Sequence, residues 1–418
     1  MSELEANNLR SEIKRITKEI LRLAAERRSL SLKIGDIKSK LGLEEVGLRE
    51  IFYMALELEK SGRKVIRLEI GEPDFTAPLD VVQETCNALR EGKSRYLSSY
   101  GIIELRRGIA ERINTIYGTD FKPENVLITG GGVMAIYIAI QALSNLGDEV
   151  VVPEPAWPLY RQIAEHLGRR YIPVRTSLED KWALRTGMLQ ENVTDASKLL
   201  IINYPNNPTG RALSLQELKN LVEEARECGL TIISDEVYSQ YYFHDSYAPS
   251  VVQILDDGYV LVGSFSKMWG MTGYRIGYLI GEKEFIDKAA NILGLMITCI
   301  PEFIQRAALK ALQDDEYVKK NIEETKKRIN YMFNMLSKNS LIKVYPSDGT
   351  FYLFPKINLP AFNSSDFALN LLEEHGVAVA PGSGFGPYRQ HIRLSAVKPI
   401  EELKIGLEKL NQAMTLLQ

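Results

Sequence analysis

Cysteine is scarce in this chain. Cys86, Cys228 and Cys299 are the only three among 418 residues, and they are widely scattered. An odd, sparse set excludes a disulfide framework and fits a reducing interior. An excess of one charge is missing too. The formal net charge of −3 leaves no electrostatic footprint for nucleic acid or an acidic membrane surface. No apolar run approaches the ~18 residues of a membrane-spanning helix. The opening stretch, residues 1–10, offers no apolar core of a signal peptide. No Walker sequence and no G-x-G-x-x-G fingerprint occurs. The expectation is a soluble, cytoplasmic, globular protein. With 45% hydrophobic and 25% charged residues, it has room for two or three domains at ~100–200 residues each.

The first 45 residues lack proline and aromatics altogether; Phe52 is the first aromatic and Pro73 the first proline. Eighteen of the 45 are charged, ten basic and eight acidic. Leu9, Ile13, Ile16, Ile20, Leu23, Leu30, Ile34, Ile37 and Leu41 follow steps of four and three, interrupted only by Arg27. Such spacing draws one apolar stripe along a helix about 50 Å long, with Gly42 as a stop signal.

From Gly47 the text alternates between strand-like and helical stretches. Apolar runs at 126–129, 149–152, 199–203, 230–234, 259–263 and 276–280 predict strands. Runs apolar at every position suggest a sheet buried on both faces. A long charged helix over 317–337, a sheet-like segment at 351–354 and a closing helix near 400–417 suggest a second, smaller α/β unit.

Several motifs carry chemistry. Ser264-Phe265-Ser266-Lys267 follows a predicted strand, with Arg275 eight residues later. A lysine acts as a nucleophile when partly deprotonated, and here it could hold an aldehyde cofactor as an imine. Ser264 and Arg275 suit a phosphate. Asp235, in Ser234-Asp235-Glu236-Val237-Tyr238, ends another strand, where open α/β sheets place ligands. Its carboxylate can pair with a protonated ring nitrogen. Tyr204-Pro205-Asn206-Asn207-Pro208-Thr209-Gly210 aims the Asn207 amide from the sheet edge. Gly130-Gly131-Gly132 precedes a helical stretch at 134–143, allowing backbone amides to approach an anion. Trp157 lies between Pro155 and Pro158, suited to stacking on a flat ring, and Arg393 could fork a carboxylate. Taken singly, each has an ordinary explanation: a surface cation, a helix cap, a loop, a core tryptophan, a salt-bridged arginine.

Taken in order, these motifs resemble the fold-type I pyridoxal-phosphate aminotransferases of class I, in the branch that includes aspartate and aromatic aminotransferases. The resemblance covers about residues 46–418. It extends to Ile70-Gly71-Glu72-Pro73-Asp74-Phe75, Gly349-Thr350-Phe351-Tyr352 and Pro381-Gly382-Ser383-Gly384-Phe385-Gly386. It implies an α/β fold: a large mixed-sheet cofactor domain at 76–314, a smaller α/β domain from 46–75 and 315–418, and an appended helix at 1–45. Pyridoxal 5′-phosphate is the implied cofactor, with no metal.

Residue by residue, the resemblance makes Lys267 the imine lysine and proton shuttle, and Asp235 the partner of the pyridine nitrogen. Asn207 and Tyr238 would bond the phenolic oxygen. Gly132, Val133, Ser264 and Arg275 would hold the phosphate, and Tyr96 would reach the phosphate of a partner subunit. Trp157 would stack on the ring, Arg393 would bind the substrate α-carboxylate, and Gly71 would close over it. The implied enzyme is a homodimer with sites at the subunit interface. It would exchange amino groups between an aromatic amino acid or aspartate and 2-oxoglutarate. Val133 departs from aspartate-using relatives, which can carry lysine there, so an aspartate-only reading is weakened. A lyase or synthase of the same fold, or a non-enzymatic cofactor-binding regulator, are the alternatives.

The N-terminal segment resembles the first helix of all-helical chorismate mutases, through Leu9-Arg10-Ser11-Glu12-Ile13, Ala25-Glu26-Arg27-Arg28 and Ile34-Gly35-Asp36-Ile37-Lys38. Arg10, Arg27 and Lys38 match that family's dicarboxylate-binding cations. Arg27 and Lys38 would share a helix face about 16 Å apart. The family's second and third helices are absent. The segment could pair subunits into a higher oligomer, bind chorismate or prephenate between subunits, or retain mutase activity.

Overall fold

The computed structural model describes residues 46–417. The expected N-terminal helix, with Arg10, Arg27 and Lys38, lies outside the described residues.

Seven strands form the central sheet, in the spatial order Val126–Thr129, Gly277–Ile280, Tyr259–Ser264, Thr231–Asp235, Ser197–Asn203, Glu149–Glu154 and Arg170–Arg175. Gly277–Ile280 runs antiparallel to both its neighbours; the other pairings are parallel. Six of these strands are the ones predicted from apolar runs. The seventh, Arg170–Arg175, was not predicted. It pairs on one side only and leaves Arg170 and Arg175 exposed, so it needs no continuous apolar run and tolerates Pro173.

Alternation along each strand feeds two cores. Ile128, Val151, Leu200, Ile202, Ile232 and Leu261 enter one, while Leu127, Val150, Val152, Leu199, Ile201 and Ile233 enter the other. The second core is covered by helix Gly132–Leu143, whose Ala135, Ile136, Ile138, Ala139 and Ile140 are buried, and by helix Lys283–Ile297. Each fully buried aliphatic side chain of this kind contributes about 1.5–3 kcal/mol.

The strand register aligns one rim of the sheet. Asn203 stands opposite Asp235, and Gly277 opposite both Thr129 and Ser264. The carboxyl ends of the parallel strands therefore share an edge, the place where open α/β sheets bind ligands.

The segments before and after these strands form further elements. Helix Asp315–Leu336 starts where the Asp314 carboxylate accepts the Tyr317 N–H at 3.0 Å. Helix Ser364–His375 is capped by Asn363 and ends at the left-handed Gly376. Tyr352–Leu353, Ile392–Ser395 and Ala380–Pro381 form an antiparallel sheet, and helix Ile400–Thr415 closes the chain. Ile66–Arg67 pairs in parallel with Val377–Ala378, which brings helix Leu48–Lys60 and the segment after it against the C-terminal part. Among the described residues, no helix is long and apolar enough to cross a membrane.

Candidate active site

A cavity of about 680 Å³ opens above the rim of the sheet. Its floor begins where strand Val126–Thr129 turns through the glycines into helix Gly132–Leu143. Gly131 adopts φ +90°, a conformation costly for a side chain. A Cβ there would also come within 2.7 Å of the Arg275 guanidinium. The recess is thus lined by the N–H groups of a helix start, an arginine and the neighbouring Ser264 hydroxyl. Arg275 is itself held in the left-handed region, and its Nη1 donates to the Thr272 carbonyl at 2.8 Å. The Ser264 hydroxyl accepts the Ser266 N–H at 3.1 Å. This donor set fits a phosphate dianion, and Gly132 and Val133 line it.

Lys267 and Asp235 face the same cavity. The Lys267 ammonium donates to the Gly71 carbonyl. Burial first, then the nearby Arg393 and Arg275 charges, lower its pKa to about 8, against the opposing pull of Glu72 and Asp235. Asp235 accepts from the Tyr160 hydroxyl at 2.6 Å and from the Val237 N–H at 3.3 Å. Burial outweighs those bonds and pushes its carboxyl up to about 6. A buried carboxylate of this kind suits a cationic ring nitrogen, which would restore its ionised form.

Sequence motifs did not single out Tyr160. It sits three residues beyond Trp157 on the same turn, edge-on to that ring at 5.4 Å, so an aromatic at this helical spacing was the available signal. Asn203 was also missed. Its Nδ2 donates to the Asp235 carbonyl at 2.9 Å, and its Oδ1 accepts the Asn207 N–H at 3.0 Å. It therefore ties the asparagine loop to the Asp235 strand.

Arg393 is 2% exposed. Its Nη1 donates to Asn207 Oδ1 at 2.9 Å and its Nη2 to the Glu69 carbonyl, while Nε has no partner. The guanidinium lies over the rings of Tyr352 at 4.4 Å and Phe385 at 5.0 Å. The Glu69 carboxylate turns instead to Arg67, at 2.5 Å. Among the described residues Arg393 thus lacks an ion-pair partner, and a buried cation of this kind calls for an anionic ligand. Tyr238 exchanges a hydrogen bond with Tyr352 at 3.0 Å. A Cβ on Gly71 would run into the Tyr352 hydroxyl.

The cavity thereby gathers Gly71, Gly132, Val133, Trp157, Asn207, Asp235, Tyr238, Ser264, Lys267, Arg275 and Arg393. Tyr96 stands apart from it, 89% exposed on the surface. The described residues contain no cluster of metal-ligating side chains.

Comparison with known proteins matches residues 63–410 to the family model described as aminotransferase class I and II. The (5-formylfuran-3-yl)methyl phosphate transaminase of Methanocaldococcus jannaschii is 33% identical, covering 90% of this chain and 98% of that protein. Aromatic-amino-acid aminotransferase 2 of Thermococcus litoralis is 32% identical over 88% of this chain and 95% of its own length. The crystal structure of an aspartate aminotransferase from Thermotoga maritima superimposes with a TM-score of 0.83 at 34% identity, covering 88% of this chain and 96% of that one. The architecture is that of fold-type I, and the chain belongs to the class I and II aminotransferases, transaminases that depend on pyridoxal 5′-phosphate.

Proposed function

We propose that this enzyme moves the α-amino group of an aromatic amino acid or aspartate to 2-oxoglutarate, in two half-reactions at one site. The observation that carries this reading is the convergence of a buried lysine, a buried aspartate and an arginine without a carboxylate partner in one cavity. The chemistry supplied by bound pyridoxal phosphate is an electron sink for the charge left on the substrate α-carbon.

The chain's own groups do the rest. Gly132 and Val133 amides, Ser264 and Arg275 hold the phosphate. Asp235, oriented by Tyr160, keeps a proton on the ring nitrogen. Trp157 would supply an aromatic wall for the ring, and Asn207 and Tyr238 would donate to its hydroxyl oxygen. Arg393 clamps the substrate α-carboxylate, for which its fork geometry is suited, and Gly71 closes over it. Lys267, with its amine drawn toward neutrality by burial, takes the α-proton and returns it.

In this reading residues 46–75 and 315–418 form the smaller domain over a larger one at 76–314. Two cytoplasmic subunits share their sites through Tyr96, which reaches the phosphate bound by the partner. Residues 1–45 serve to pair subunits further.

Absorbance spectra test the proposal. The purified holoenzyme is treated singly with phenylalanine, tyrosine, aspartate or alanine. Conversion to the pyridoxamine-form spectrum, reversed by 2-oxoglutarate, is the expected result. A cofactor band that no amino acid converts would sink it.

A further inference from the structure

Four cationic side chains line the cavity: Lys267, Arg275, Arg393 and Arg49. The first three are already engaged. Lys267 lies on the Gly71 carbonyl, Arg275 on the Thr272 carbonyl beside the glycine turn, and Arg393 between Asn207 and Glu69. Arg49 comes from a different direction, the first turn of helix Leu48–Lys60. It is exposed and carries no ion pair among the described residues.

The carboxylates nearby are committed elsewhere. Glu50 Oε2 accepts the Gly47 N–H at 3.0 Å and so closes the helix start. Glu69 is paired with Arg67. Val133 leaves the glycine turn itself without a cationic side chain. A substrate with two carboxylates, one clamped by Arg393, needs a second cation for the other, because an unpaired carboxylate loses hydration on entry. Four residues along the helix from Arg49, and so on the same face, Tyr53 also lines the cavity and is 58% exposed. Its ring supplies apolar surface on that same face.

We propose that Arg49 binds the distal carboxylate of dicarboxylic substrates, with Tyr53 forming the adjoining wall of the side-chain pocket. The inference deepens the transaminase reading and rests on it. It assigns acidic-substrate recognition to an exposed arginine on helix Leu48–Lys60, and not to the glycine turn.

The test uses holoenzyme and two unreactive acids, maleate and 3-phenylpropionate, titrated calorimetrically against wild type, Arg49→Gln and Arg49→Lys. Loss of one charged hydrogen-bonded contact should weaken maleate binding roughly 10- to 100-fold in Arg49→Gln. Binding of 3-phenylpropionate should stay within about twofold, and Arg49→Lys should recover part of the maleate affinity. Equal weakening of both acids, or an Arg49→Gln variant that keeps its preference for maleate, overturns the assignment. So does a wild-type enzyme that does not prefer maleate. Amino-group exchange with phenylalanine is scored separately. An enzyme that exchanges but fails these titrations keeps the transaminase reading and loses Arg49.

Discussion

The Tyr160 hydroxyl donates to the Asp235 carboxylate at 2.6 Å, and both groups are buried. Burial holds the Tyr160 phenol well above its usual range, so it remains a donor at every working pH. The bond opposes the desolvation that raises Asp235. It links the helix carrying Trp157's neighbours to the end of a central strand, across 75 residues of sequence.

Replacing Tyr160 by Phe should therefore weaken the pyridoxal-phosphate complex. A hydrogen bond to a charged group contributes about 1.5–3 kcal/mol. The cofactor dissociation constant should rise roughly 10- to 100-fold, and the acid limb of the kcat profile should move to higher pH. An unchanged dissociation constant and profile would leave Tyr160 a packing residue only.

Lys267→Ala should lower kcat by about 10²–10⁴-fold or more, because the base is removed while Arg393 and Trp157 still hold the substrate. Stopped-flow half-reactions with phenylalanine check this. Retained wild-type rates would place the base elsewhere.

Asp235 makes stability depend on pH in the cofactor-free protein. Its folded pKa of about 6 exceeds the ordinary value of 3.8, so the native state binds more protons in that window. Its contribution is fully present below about pH 4 and is lost as pH rises through 6, amounting to about 3 kcal/mol. Asp235→Asn should remove this loss. The variant's melting temperature relative to wild type should climb between pH 4 and 6.5, while its activity collapses. A constant difference across that range would contradict the burial argument.

Arg393→Lys should raise KM for amino acids while kcat changes less. Lysine keeps the charge but cannot fork a carboxylate while also reaching Asn207 and the Glu69 carbonyl. A loss of about 2–5 kcal/mol in kcat/KM is expected, and primary amines without a carboxylate should be insensitive. Equal loss for both would show that Arg393 only supports the fold.

Deleting residues 1–42 should shift the oligomeric mass, measured by light scattering, more than the transaminase rate. A large rate loss at constant mass would count against subunit pairing by that segment.

Local sequence carried much of the architecture, for a physical reason. A strand buried on both faces must be apolar at nearly every position, so 126–129, 199–203 and 259–263 could be read directly. The edge strand Arg170–Arg175 escaped because it is only partly buried, unlike the opposite edge strand Val126–Thr129, which is buried throughout. Motifs such as Ser264-Phe265-Ser266-Lys267 were legible because glycine, proline, lysine and aspartate at strand ends are chemically conspicuous.

What the residue order settled was the set of chemical groups and the sheet edge on which they stand. Which groups touch was decided only by folding. Tyr160 meets Asp235, Tyr352 meets Tyr238 and Glu69 turns to Arg67, and no motif announces any of these pairings. Arg49 lines the cavity because the pairing of Ile66–Arg67 with Val377–Ala378, over 300 residues away, holds helix Leu48–Lys60 beside the C-terminal part. Hydrophobic periodicity is a local property and can be read along a chain. Partnership inside a desolvated cavity depends on long-range packing, and there burial sets both the hydrogen bonds and the pKa values that make the site work.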